Sequence, residues 1–157
     1  MKKKIAILGS TGSIGQSILK IIARDKNNFK IELVTANKNY KEILNQAKKY
    51  NIKNIIITDK KYYNLALLKK DKKNINIYNN FNDVKKIFKS KVDYTMSSII
   101  GLDGLLPTFK MIRFTKKIAI ANKESIICAW NIIKKELDKN KTQFIPVDSE
   151  HFSIWYA

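Results

Sequence analysis

Glycine recurs at every third position, Gly9, Gly12 and Gly15, directly behind the apolar run Ile5-Ala-Ile-Leu8. A short apolar run that stops at a glycine turn reads as a buried strand. Behind the turn, Ile14, Ile18, Leu19 and Ile22 return at helical spacing. A strand that leaves through a glycine turn into a helix presents backbone N–H groups and a positive helix end to a phosphate. Each glycine removes a Cβ where the chain turns tightly, approaches a phosphate or packs a helix on a sheet. Ser10, Thr11 and Ser13 add hydroxyl donors. The spacing is not the usual G-x-G-x-x-G, so a plain strand-to-helix turn with glycine as a breaker stays open on the residues alone.

The pattern set by this first unit repeats. Short apolar runs at 4–8, 30–35, 54–58, 74–78, 94–99, 117–121 and 142–147 read as strands, and 13–24, 40–50, 61–70, 82–89, 102–114 and 123–139 read as helices. Repeated strand–helix alternation predicts an α/β fold: a doubly wound, mainly parallel, Rossmann-like sheet with helices on both faces. The runs at 4 and 117 are nearly continuous, as buried parallel strands should be. The run at 30 alternates apolar and polar residues, which predicts a more exposed strand. The 157 residues suffice for one good core, hence one domain.

The end of the second strand separates two dinucleotides. A site for NAD places an acid there to bind the ribose hydroxyls. Here Glu32 falls inside the strand, and the tip reads Asn37-Lys38-Asn39. One ammonium and two amides suit a 2′-phosphate, so NADPH is the expected cofactor; the alternative reading of Lys38 is one more surface lysine among many.

Two later strands also end in reactive loops, Asn122-Lys123-Glu124-Ser125 and Asp148-Ser149-Glu150-His151. Asp148 and Glu150 are two residues apart, a spacing that points both carboxylates the same way in an extended loop. Two hard oxygen donors suit Mg²⁺ or Mn²⁺. Helix capping explains the same acids equally well. Asn122, Lys123 and Glu124 read alternatively as an N-cap and an ordinary first turn. Cys128 reads as a small core residue.

The formal charge of +18 raises the question of nucleic acid. Arginine occurs only at 24 and 113, and the lysines are spread over helix faces and loops. That distribution describes a solvated lysine-rich surface, with neither arginine clusters nor interleaved aromatic residues. No nucleic-acid or membrane partner is expected. A single cysteine, no apolar run of membrane-spanning length and no targeting segment point to the cytoplasm.

Taken together, Gly9-Ser-Thr-Gly-Ser-Ile-Gly15, Ala121-Asn-Lys-Glu-Ser125 and Pro146-Val-Asp-Ser-Glu-His151 resemble the 1-deoxy-D-xylulose 5-phosphate reductoisomerase family. The linking segment Ile100-Gly-Leu-Asp-Gly-Leu-Leu-Pro107 is similar too, and the likeness runs from Lys4 to about Ile154. The resemblance implies an NADPH-dependent enzyme of non-mevalonate isoprenoid synthesis. It rearranges and reduces 1-deoxy-D-xylulose 5-phosphate to 2-C-methyl-D-erythritol 4-phosphate with Mg²⁺ or Mn²⁺, as a homodimer. It further implies that Thr11, Gly12, Ser13 and Ile14 meet the cofactor phosphates and that Asn37, Lys38 and Asn39 meet the 2′-phosphate. Asn122 and Glu124 would also line the cofactor site. Lys123 and Glu150 would be catalytic, Lys123, Ser149 and Glu150 would touch substrate, and Asp148 and Glu150 would hold the metal. The family often has glycine where Asn37 stands, a position where asparagine accepts the same backbone conformations. Family members are more than twice as long. The expectation is therefore an NADP-binding domain over 1–157, without the family's catalytic and carboxy-terminal domains and inactive alone. A non-catalytic NADP-binding fragment or decayed gene product is the alternative.

Overall fold

A computed structural model describes residues 1–69 and 74–147. Seven strands form one sheet: β1 (Lys3–Leu8), β2 (Phe29–Ala36), β3 (Asn54–Ile57), β4 (Asn76–Tyr78), β5 (Val92–Ser97), β6 (Thr115–Ile120) and β7 (Gln143–Pro146). Their order is β4-β3-β2-β1-β5-β6-β7, and each neighbouring pair runs parallel. All seven strands expected from the sequence are present within two residues of their expected ends.

The helices are α1 (Ser13–Arg24), α2 (Tyr40–Lys49), α3 (Lys60–Leu68), α4 (Val84–Ile87), α5 (Leu105–Ile112) and α6 (Lys123–Asn140). Core residues divide by face. Ile5 and Ile7 of β1 pack with Leu19 and Ile22 of α1 and with Ile43 and Ala47 of α2. Ala6 and Leu8 point the other way, toward Phe81, Val84 and Met111. Under α6, Ile118 and Ile120 meet Ile126, Ile133 and Leu137. The sheet is thus covered on both faces, as continuous apolar strands require.

Two expected helices are shorter than their apolar patterns. The segment 82–89 folds as a 3₁₀ turn, Phe81–Asp83, and the single turn of α4. Asn80 starts the turn by accepting from the Asn82 N–H at 2.8 Å. Phe88 then leaves the helix in an extended conformation and buries its ring against Phe114, 6.1 Å away between centroids. The segment 102–114 opens with a 3₁₀ turn, Leu102–Gly104, before α5. Pro107 is tolerated because first-turn N–H groups have no helical acceptor.

The second strand is not an exposed one. It lies between β1 and β3, and Leu33, Val34, Thr35 and Ala36 are all buried. The misleading alternation has a local cause. The register between β1 and β2 shifts after Ile5, which pairs with Ile31, whereas Ala6 pairs with Leu33. Glu32 is the extra residue of a bulge, so Ile31 and Leu33 belong to opposite faces.

Cys128 is also not a core residue; it is exposed. The inward positions of α6 are Ile126, Ala129, Ile133 and Leu137. Ala129 itself breaks the helix, with φ −140° and ψ 22°. Among the described residues no helix is long and apolar enough to cross a membrane.

Candidate functional site

In a parallel sheet the strand order reverses at one place, here between β1 and β5, and the crevice beyond their carboxyl ends is the expected ligand site. A cleft of about 280 Å³ occupies it. Gly9, Thr11 and Gly12 form its floor, Thr35, Asn37 and Thr58 one wall, and Ile99, Ile100 and Pro107 the other.

The glycine turn is built by close approach. Gly9 has φ +79°, and a Cβ there would meet the Ser98 carbonyl oxygen at 3.0 Å. A Cβ on Gly15 would lie 2.5 Å from the Gly9 oxygen, so α1 rests directly on the turn. The Gly9 N–H donates to Thr35 Oγ1 at 3.0 Å, and the Ser10 N–H donates to the Thr35 carbonyl at 2.9 Å. Gly12 is the N-cap of α1, and no side chain caps that helix. The positive end of α1 therefore faces the cleft region beside exposed Ser13 and Ile14, as a phosphate site needs.

Ser10 does not serve as a phosphate donor. Its hydroxyl is buried and donates to Gln46 Oε1 at 2.7 Å, while Gln46 Nε2 returns a bond to the Ser10 carbonyl at 3.1 Å. Gln46 lies on the inward face of α2, and its side chain ties the turn to that helix. The sequence offered little sign of this, because a polar residue in a lysine-rich helix reads as surface. Its spacing from Ile43 and Ala47 on the buried side was the one available clue.

At the second strand tip, Asn37 Nδ2 donates to Thr58 Oγ1 at 2.9 Å. Asn37 does not use a glycine-like conformation, since positive φ outside glycine is confined to Asn51 and Lys141 among the described residues. Asn39 caps α2, accepting from the Glu42 N–H at 3.3 Å. Lys38 between them is exposed; its carbonyl accepts from the Tyr40 N–H at 2.7 Å, and its ammonium has no hydrogen-bond or ion-pair partner among the described residues. Glu32 sits in the first half of β2, away from the tip.

Asn122 is only 2% exposed. Its Oδ1 accepts from the Ser125 N–H at 2.8 Å, as a helix cap does. Its Nδ2 donates to the Ile99 carbonyl and, at 2.6 Å, to the Gly101 carbonyl. The amide is thus spent on holding the start of α6 against the loop that forms the apolar wall. A Cβ on Gly104 would meet this amide at 2.3 Å, so a glycine is needed beneath it. Lys123 follows as an exposed residue and Glu124 as a half-buried one. Both follow the strand β6, two places from β1 at the same edge of the sheet.

β7 runs parallel to β6 and brings the chain to that edge at Val147. Asp148, Ser149, Glu150 and His151 lie outside the described residues. Among the described residues no group of three or more His, Cys, Asp or Glu side chains is placed to hold a metal ion.

Residues 5–130 match the family model for 1-deoxy-D-xylulose 5-phosphate reductoisomerase. The enzyme of that name from Pelagibacter ubique is 60% identical over 155 residues, which are 98% of this chain and 40% of that protein. The Zymomonas mobilis reductoisomerase, solved in complex with NADPH, superposes with a TM-score of 0.87 at 33% identity, over 96% of this chain and 40% of that one. A reductoisomerase solved with NADPH, fosmidomycin and magnesium gives a TM-score of 0.85 at 30% identity, over 95% of this chain and 37% of that one. This chain spans about 40% of the length of the curated relatives it matches.

Proposed function

Because the chain belongs to the 1-deoxy-D-xylulose 5-phosphate reductoisomerase family, we propose that it is the NADPH-holding part of that enzyme. The whole reaction converts 1-deoxy-D-xylulose 5-phosphate to 2-C-methyl-D-erythritol 4-phosphate. The observation that carries this reading is the sharing of one cleft by the glycine turn and the Asn37 tip. The Asn122-capped start of α6 is bonded to the same cleft's apolar wall.

The residues present suit the cofactor. The cleft floor has little side-chain bulk, and α1 begins there without a side-chain cap. In this reading the backbone of Thr11, Gly12, Ser13 and Ile14 binds the pyrophosphate. Lys38, flanked by Asn37 and Asn39, binds the 2′-phosphate. NADPH supplies a hydride when bound. Asn122 acts as a positioning residue: it anchors the loop on one side and orients Lys123 and Glu124 on the other. Glu124 lines the cofactor site, and the Lys123 ammonium pairs with an oxygen of the sugar phosphate.

We assign Asp148 and Glu150 to a divalent cation, Mg²⁺ or Mn²⁺, with Ser149 and Glu150 against substrate. The support is their carboxylate chemistry, their spacing and their entry from β7 at the cofactor edge. The cation's contribution is to polarise substrate oxygens. The full enzyme is proposed to be a cytoplasmic homodimer.

The test is binding of reduced cofactors to the 157-residue chain by calorimetry. NADPH should bind more tightly than NADH, and Lys38→Gln should weaken NADPH roughly tenfold, the loss of one hydrogen bond to a charged group. NADH affinity should change little. The chain alone should show no turnover of the sugar phosphate. Equal affinities for the two cofactors would overturn the NADPH assignment.

A further inference from the structure

The two walls of the cleft differ in kind, and one residue on its lining suits neither wall nor a phosphate. Asp103 lies in the 3₁₀ turn that leads into α5, beside Ile99, Ile100 and Pro107. It is exposed, and no hydrogen bond or ion pair engages its carboxylate among the described residues. Its position just ahead of α5 accounts for an acid being tolerated there, since a helix start favours negative charge. That placement leaves both carboxylate oxygens free to accept.

A carboxylate repels phosphate, so the pyrophosphate and the 2′-phosphate belong at the other sites, the start of α1 and Lys38. What fits between an apolar wall and a wall of hydroxyl and amide groups is a flat heteroaromatic ring. What fits an ionised carboxylate at the edge of that ring is an N–H donor. Asn37 also lines the cleft, which decides which ring this is: the 2′-phosphate bound at 37–39 sits on the ribose that carries adenine.

We propose that Asp103 reads the cofactor's purine, accepting a hydrogen from the exocyclic amine of adenine. The inference rests on the NADPH reading above and adds base selectivity to it. A site built to accept an N–H discriminates against a ligand that lacks one, because its polar group is left without a partner.

The experiment compares NADPH with an analogue whose purine carries hydrogen in place of the amine, binding both to the 157-residue chain. The native chain should bind NADPH roughly tenfold more tightly than the analogue, the difference of one hydrogen bond to a charged acceptor. Asp103→Ala should bind both at the analogue's affinity. Asp103→Asn keeps an oxygen acceptor and should retain part of the preference. Equal binding of the two ligands by the native chain overturns the proposal, as does an undiminished preference in Asp103→Ala. Failure of the native chain to bind NADPH at all overturns the cofactor reading itself, and this inference with it.

Discussion

Gln46 shows how far a single residue can act from the site it serves. It touches no part of the cleft, yet its amide holds both the hydroxyl and the carbonyl of Ser10, in the middle of the glycine turn. A buried hydrogen bond contributes modestly while intact, but an orphaned buried partner carries the full desolvation cost. Gln46→Leu should therefore lower the unfolding free energy by about 1–3 kcal/mol, read from urea melts. Ser10→Ala combined with Gln46→Leu should recover part of that loss, since it removes the orphaned hydroxyl and leaves only the Ser10 carbonyl without its amide partner. Additive losses in the double variant would show that the pair is not the link between α2 and the turn. Gln46 and Ser10 were the least legible residues of the site. The glycines announce themselves by type and spacing, whereas a buried glutamine is defined only by the serine it meets 36 positions away.

Among the elements, strand identity was legible because buried parallel strands carry short continuous apolar runs, and residues 5–8 of β1 and 118–120 of β6 follow that rule. The bulge in β2 was not legible: an extra residue changes which face each side chain takes without changing the residues themselves. The kink in α6 was equally hidden, having neither proline nor glycine to mark it. Asp93 is another feature that pairing alone reveals. It stands at the start of β5 and accepts from the Lys4 backbone N–H of β1 at 2.8 Å and from Lys116 Nζ of β6 at 2.8 Å. The Lys116 ammonium, and then the Lys4 N–H, hold its carboxyl below the usual value. A carboxyl with a lowered folded pKa contributes stability that is complete above its unfolded pKa and is lost as pH falls through the folded one. Asp93→Asn should thus be less stable than the native chain at neutral pH. The two should converge once the solution is acid enough to protonate Asp93. The contribution is small, because both partners are partly solvated. Chemical denaturation across acid pH reads it, and a constant offset between the two proteins at every pH would rule out the charge as its source.

For the molecule as a whole, the charge of +18 matters for what approaches it. Among the described residues no lysine lines the cleft, but the summed field of the lysine-rich surface acts on any anion. NADPH differs from NADH by a phosphate carrying close to two negative charges. Its preference should therefore have two parts. One is the proposed contact of that phosphate with Lys38 and the two asparagines beside it. The other is the long-range attraction of the lysine surface, which salt screens over about 8 Å at physiological ionic strength. Titrating both cofactors at roughly 20 mM and again at roughly 500 mM salt separates the parts, because the Debye length shortens severalfold over that range. The ratio of NADPH to NADH affinity should fall with salt and level off above one. Lys38→Gln should lower the level it reaches while leaving most of the slope. A ratio that ignores salt in the native chain would place the whole preference in the short contact. A slope abolished by Lys38→Gln would mean that this one lysine, and not the surface, is what the second phosphate feels.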